Sequence, residues 1–187
     1  MWAGMASERP TSKRALERLF ATRIADPAVI AFAVLDEETG TVAGTTSLYD
    51  YVQDQARVEL GMTFFGRDYW GRNVNASSKL ALLSFAFEEL LVHRVTLRCD
   101  VRNVRSAAAI VKLGATLDGV LRGFRRGHDG SRVDTSIYSI LENEWPQVRS
   151  GLVHRLTPAD LLPEVTELIE LSEQLTRADA EHAPLPA

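Results

Sequence analysis

Cysteine is nearly absent from this chain of 187 residues, in which Cys99 stands alone. No intrachain disulfide can form, a thiolate-held metal is disfavoured, and a reducing, cytoplasmic setting is expected. Long apolar runs are missing too. The opening Met-Trp-Ala-Gly-Met-Ala-Ser-Glu-Arg-Pro has neither the basic nor the apolar region of a targeting segment, so no membrane partner is expected. Nor is there an excess of positive charge: 21 Lys and Arg face 25 Asp and Glu, a formal net charge of -4. Only the local run Arg122, Arg125, Arg126, His128, Arg132 is basic, which argues against nucleic acid as a main partner. What is present, 45% hydrophobic and 25% charged residues, is the make-up of an ordinary globular protein. The length suits one domain held together by packing.

Thr11 and Ser12 can cap a helix carrying Ala15, Leu16, Leu19, Phe20 and Ile24 at helical spacing, ended by Asp26-Pro27. Val29 to Leu35 and Thr41 to Leu48 read as a β-hairpin whose turn uses Gly40. Arg57 to Phe65 reads as a third strand, with Gly61 hinting at a bulge. Asn75 to Leu91, apolar nearly all round, predicts a helix buried on most sides. Arg94 to Cys99 alternates as a half-buried strand does. Asn103 caps a short helix that Gly114 closes. Thr116 to Arg126 and Arg132 to Leu141 form a hairpin around residues 127 to 131. Glu142 to Leu156 and Thr157 to Leu175 read as C-terminal helices, the last with a stripe of Leu161, Val165, Leu168, Ser172 and Leu175 that either packs back or forms a homodimer contact. The order predicts a mixed α/β (α+β) sheet flanked by helices.

The junction from Phe65 to Ala76 connects a strand directly to the start of the long helix. A helix start offers unpaired backbone N–H groups and a positive dipole end, a ready place for a pyrophosphate. A sharp bend is the plainer reading of its glycines.

From Glu59 to Trp145 the chain resembles the RimJ/RimL-type GNAT N-acetyltransferases. The resemblance rests on Val58-Glu59-Leu60-Gly61, Tyr69-Trp70-Gly71-Arg72-Asn73-Val74-Asn75, Phe85-Ala86-Phe87, Leu91-Val92-His93-Arg94-Val95, Asn103-Val104-Arg105-Ser106-Ala107, Lys112-Leu113-Gly114-Ala115, Asp118-Gly119-Val120-Leu121-Arg122 and Tyr138 to Trp145. It implies a GNAT domain over residues 1–156; the helix that the pattern predicts over 157–177 and a flexible tail over 178–187, expected of a chain end, lie outside the resemblance. The fold implied is a mostly antiparallel sheet with a V-shaped opening between two central parallel strands. In the family a first strand and the beginning of a first helix precede a segment like residues 2–10, and neither has a counterpart here.

The resemblance further implies acetyl-CoA as co-substrate, no metal, and direct transfer to an amine acceptor: a protein N-terminus, an amino-acid or peptide amine, or a small-molecule amine. Trp70, Gly71, Arg72, Asn73, Val74, Asn75 and Ala76 take the place of the pyrophosphate loop and helix start. Trp70, Asn73 and Asn75 depart from the family's Gln/Arg, Gly, and Gly/Ala; Asn is the non-glycine residue that best tolerates a left-handed conformation. A backbone amide near Met62 to Phe64 is expected to polarise the thioester. Glu59 is the candidate base; its other reading is a carboxylate solvated or paired with Arg57 or Arg98. Ser106 is expected to meet the CoA sulfur and Asn103 to hold the cofactor arm, both compatible with helix capping. The position of the family's tyrosine acid is Ile110, and that of a strand glutamate base is Arg125. Asp134 either orients the acceptor amine or pairs with Arg122 or Arg132, and His93 reads as a structural hydrogen-bonder. These departures leave a second reading, a GNAT-like acyl-CoA-binding protein with little or no catalysis.

Overall fold

The computed structural model describes residues 9–127 and 130–158. The strands β1 (Val29–Leu35), β2 (Val42–Val52), β3 (Arg57–Phe65), β4 (Arg94–Asp100), β5 (Thr116–Arg126) and β6 (Arg132–Leu141) make one sheet in the order β1-β2-β3-β4-β6-β5. Every pairing is antiparallel except β3 with β4. Those two share only three Cα pairs, Arg57 with Arg94 through Glu59 with Thr96, and diverge beyond them. The expected V-shaped opening is therefore present, with Glu59 at its vertex.

Side-chain alternation sends Leu48, Val58, Leu60, Val95, Leu97 and Ile140 to one face of the sheet, where they make the core with α2 (Val74–Ser84), α3 (Val104–Val111) and α4 (Trp145–Leu156). The opposite face carries Tyr49, Glu59 and Phe64. On that face Phe20 of α1 (Lys13–Ala25) stacks on Phe64 with ring centroids 5.9 Å apart. The cap expected at the start of α1 is Ser12, whose hydroxyl accepts the Ala15 N–H.

Three expectations change. The single helix over 75 to 91 is an α-helix to Ser84 followed by a π-helical turn, Phe85–Glu89. The wider turn brings both Ala86 and Phe87 onto the core, Phe87 stacking on Trp145 at 5.2 Å, and leaves Phe85 and Leu91 outside. The helix is consequently buried along one face rather than on most sides. The second change is in β2, which runs on to Val52 because residues after Leu48 keep pairing with β3. Thr157 ends α4 as its C-cap, with extended backbone, and does not begin a further helix; residues 159–177 of the predicted helix, the tail, residues 1–8 and the turn residues His128 and Asp129 lie outside the described residues.

Candidate active site

Glu59 is 6% exposed, and its carboxylate accepts from the Tyr49 hydroxyl and pairs with Arg98 Nε at 2.6 Å. Arg98 also reaches Asp50 at 3.6 Å and lies over the Tyr49 and Phe124 rings. Of the two arginines considered for Glu59, Arg98 is the one the structure supplies. Burial raises the proton affinity of the carboxyl, while Tyr49 and Arg98 oppose that rise. Gly61 makes room for this cluster, since a Cβ there would meet the Tyr49 hydroxyl at 2.8 Å.

Past the vertex, β3 gains one residue on β2. Thr45 pairs with Phe64 and Ser47 with Gly61, so Met62 and Thr63 oppose Thr46 alone. This is a β-bulge, and its left-handed residue is Met62, at φ 50, rather than the neighbouring Gly61. A bulge disrupts the ladder locally and leaves its extra residue unpaired, here just past the point where β3 and β4 part. The Met62 carbonyl accepts from Arg23 Nη1 at 3.4 Å, and that guanidinium lies over the Phe64 ring. From the other face Lys79, 4% exposed, reaches the Thr46 and Thr63 hydroxyls at 2.7 Å each.

The strand leads through a short turn into α2. The left-handed residue of this loop is Gly71, at φ 78, with open space where a Cβ would stand, whereas Asn73 is right-handed at φ -71. Replacing the family's glycine by Asn73 thus costs no backbone strain. Asn73 stands at the N-cap but its side chain caps nothing, and Val74, Asn75 and the fully buried Ala76 open the first turn. First-turn amides with no side-chain acceptor, beside a glycine with free space, suit a phosphate group. Trp70 is pinned by its Nε1 donating to the Phe65 carbonyl at 3.0 Å, and Arg105 of α3 stacks on its ring at 4.1 Å. Arg72 lies over Tyr69.

On the β4 side, Asn103 caps α3 by accepting the Ser106 N–H at 3.1 Å, the expected capping bond. Burial pushes up the pKa of the Cys99 thiol, and the neighbouring Ser106 side chain opposes that rise. Ile110 belongs to the core. Arg125 faces the buried Asp100 at 3.7 Å, so the family's glutamate position is held by a cation in an ion pair. His93 has the structural role expected, with Nδ1 at 3.4 Å from Glu142.

One expectation fails here. Asp134 forms no ion pair with Arg122 or Arg132. Its Oδ1 accepts the Gly123 N–H at 2.7 Å, because β5 carries a bulge at residues 122 to 124 and the carboxylate fills the gap this leaves in the ladder. Tyr49 and Lys79 are not singled out by sequence reasoning. The available signal for Lys79 is a lone cation at helical spacing between Ala76 and Leu83.

The profile of the acetyltransferase (GNAT) domain matches residues 1–116, and the chain belongs to that family of N-acetyltransferases. It is similar to YdaF of Bacillus subtilis (strain 168), provisionally named a ribosomal N-acetyltransferase, with 28% identity over 106 residues, 57% of each chain. The chain thus spans less than two thirds of that relative. A crystal structure of a protein from T. thermophilus, provisionally named an acetyltransferase, superposes with TM-score 0.77 at 35% identity, covering 83% of this chain and 81% of that one. A GCN5-related N-acetyltransferase from Brucella melitensis shares the fold, with TM-score 0.80 at 22% identity over 84% of this chain and 71% of that one. Among the described residues no helix is long and apolar enough to cross a membrane, and no cluster of metal-binding side chains occurs.

Proposed function

We propose that this GNAT chain uses acetyl-CoA to acetylate a primary amine directly, on a single site at the mouth of the β3–β4 opening. The observation that carries the proposal is the coincidence of three features: parallel strands that part at Glu59, a bulge at Met62 just beyond, and an uncapped helix start at Asn73. Acetyl-CoA supplies an activated acyl group and a thiolate leaving group. The amides of Gly71, Arg72 and the first turn of α2 hold its pyrophosphate, with Trp70 and Arg105 at the rim and Asn103 on the cofactor arm. The amides around Met62 to Phe64 donate to the carbonyl oxygen, where negative charge develops. Glu59 takes the amine proton directly or through water; its raised proton affinity suits a base, and Tyr49 and Arg98 keep it anionic. Ser106 meets the leaving sulfur. Asp134 reaches the acceptor only if it releases Gly123.

The branch resemblance, to which the name of YdaF adds, makes a protein N-terminus one candidate acceptor, with amino-acid, peptide and small-molecule amines the others. The cytoplasm is the setting that fits this chemistry. The test is thermal melting with and without excess acetyl-CoA, followed by release of free thiol across a panel of such amines. A raised midpoint with turnover supports the proposal. Binding without turnover on any amine would turn it into an acyl-CoA-binding protein, and an unchanged midpoint would remove the cofactor site altogether.

A further inference from the structure

Acetyl transfer as proposed leaves Lys79 without a part, yet its ammonium is fully buried in the wall of the opening. It projects from α2 between Ala76 and Leu83, both at 0% exposure, and no charged neighbour acts on it among the described residues. Taking a lone ammonium out of water is costly, and an apolar side chain of similar length would fill the same space without that cost. A cost borne in this way points to a role other than stability.

The hydrogen bonds show what that role is. Lys79 Nζ donates to Thr46 Oγ1 and Thr63 Oγ1, which lie 2.8 Å from each other. Each hydroxyl that accepts from Nζ turns its own proton away from it, toward the other hydroxyl or toward the Gly61 carbonyl, 3.4 Å from Thr46 and 3.3 Å from Thr63. The Gly61 carbonyl shares a peptide group with the Met62 N–H. The Met62 carbonyl, held by Arg23 from the opposite face, shares one with the Thr63 N–H. A carbonyl that accepts from a cation, or from a hydroxyl polarised by one, leaves the N–H of the same peptide a stronger donor. Both peptides of the bulge are therefore polarised in the same sense, one from each side of the sheet.

We propose that Lys79 is a positioning residue for acetyl transfer: through Thr46 and Thr63 it fixes and polarises the bulge at Met62, making its amides strong donors to the thioester carbonyl. The inference rests on the reading of that bulge as the carbonyl-binding element. Thr46 and Thr63 still hold each other when Lys79 is removed, so Lys79→Met is expected to fold. Thr63→Val removes one arm of the same relay, and with it one of the two acceptors of the ammonium, while leaving the Thr46 arm and the lysine in place.

The test is isotope-edited infrared difference spectroscopy, at pH 6 where Lys79 carries its proton, of bound acetyl-CoA labelled at the carbonyl carbon, with the dissociation constant measured on the same samples by calorimetry. Wild-type protein is expected to lower the carbonyl stretching frequency on binding. Lys79→Met is expected to lose most of that shift and Thr63→Val, which keeps the Thr46 arm, a smaller part, each while binding acetyl-CoA within about threefold of wild type, since the pyrophosphate contacts are untouched; the double variant is expected to lose no more than Lys79→Met. On any amine found to turn over, kcat should fall on the order of tenfold, less than the roughly hundredfold of deleting an oxyanion donor outright, with KM for acetyl-CoA unmoved. A full wild-type shift in Lys79→Met and Thr63→Val overturns the role of Lys79. No shift in the wild type overturns the reading of the bulge itself.

Discussion

Two buried charges flank the same few residues of β3, and they are held in opposite ways. Glu59, on the face toward α1, has a hydroxyl and a guanidinium on its carboxylate, and that guanidinium is shared with Asp50. Lys79, on the face toward the core, has only neutral hydroxyls. A paired buried charge costs most when one partner is removed, because the other is stranded. An unpaired one is a standing cost relieved by its own removal. The comparison therefore predicts opposite signs for two substitutions of a cation by methionine less than one strand apart.

Arg98→Met should have the largest effect on stability, a loss of roughly 2 to 3 kcal/mol in denaturant unfolding. That lies below the roughly 3 to 5 kcal/mol of a fully buried pair because the Arg98 side chain is 29% exposed and the Glu59 side chain 8%. Glu59→Gln in the same chain should restore most of the loss, and a loss that stays undiminished in the double variant would show that Arg98 acts by packing alone.

Lys79→Met should instead gain stability, by about 1 to 2 kcal/mol near pH 6. The gain depends on pH in a fixed direction. Burial lowers the lysine to about 7 from its ordinary 10.5, so between those values the unfolded chain binds a proton that the native one does not. Wild-type stability therefore rises with pH across that window, by at most about 1.4 kcal/mol per unit, so the gap to Lys79→Met closes and then changes sign. Paired melts of the two proteins from pH 6 to about pH 10 check this, and a gap that widens with pH would reverse the assignment of the charge. A variant that melts higher while polarising the bound thioester less would separate function from stability in one residue.

Gly61→Ala sharpens the comparison from the Glu59 side. The added methyl would stand 2.8 Å from the Tyr49 hydroxyl and must push it off the carboxylate. A cost of about 1 to 2 kcal/mol is expected, as for other small overpackings. The signature is an altered pH dependence of kcat together with the lower midpoint; a normal profile would place Tyr49 outside the proton path.

Most of this architecture is legible in the residue pattern, and the exceptions share a cause. Strand β3, the cap at Ser12 and the cap at Asn103 follow from local chemistry, since alternation and side-chain-to-backbone bonds act over three or four residues. The three-pair contact of β3 with β4 follows from the family resemblance, because no local signal says where two distant strands part. The π turn at Phe85 has no local signal either, being set by Trp145, some 60 positions on, against which Phe87 stacks. Asp134 departs from its expectation for the same reason: nearby arginines suggest a pair, while the bulge at Gly123 that claims the carboxylate depends on strand register. Lys79 does not stand out because an apolar helix pattern tolerates one lysine at its edge, and only the fold reveals that this edge faces Thr46 and Thr63.

The smallest effect is expected at Asn73, and it sets the baseline for the other three. Asn73 is right-handed at φ -71 and its side chain caps nothing, so neither backbone strain nor a lost bond accompanies its replacement. Asn73→Gly should cost a few tenths of a kcal/mol, the usual penalty of glycine at such a position. Gly71 carries the left-handed turn at φ 78, so Gly71→Ala should cost about 1 kcal/mol or more and weaken acetyl-CoA binding measurably. Calorimetric titration of the two variants against wild type separates the loop's shape from its residue names. Equal losses at both positions would mean that Asn73 touches the cofactor by its side chain. An unchanged affinity in Asn73→Gly leaves the backbone amides as the binding element, and the charges at Glu59 and Lys79 as the part of the opening that governs chemistry.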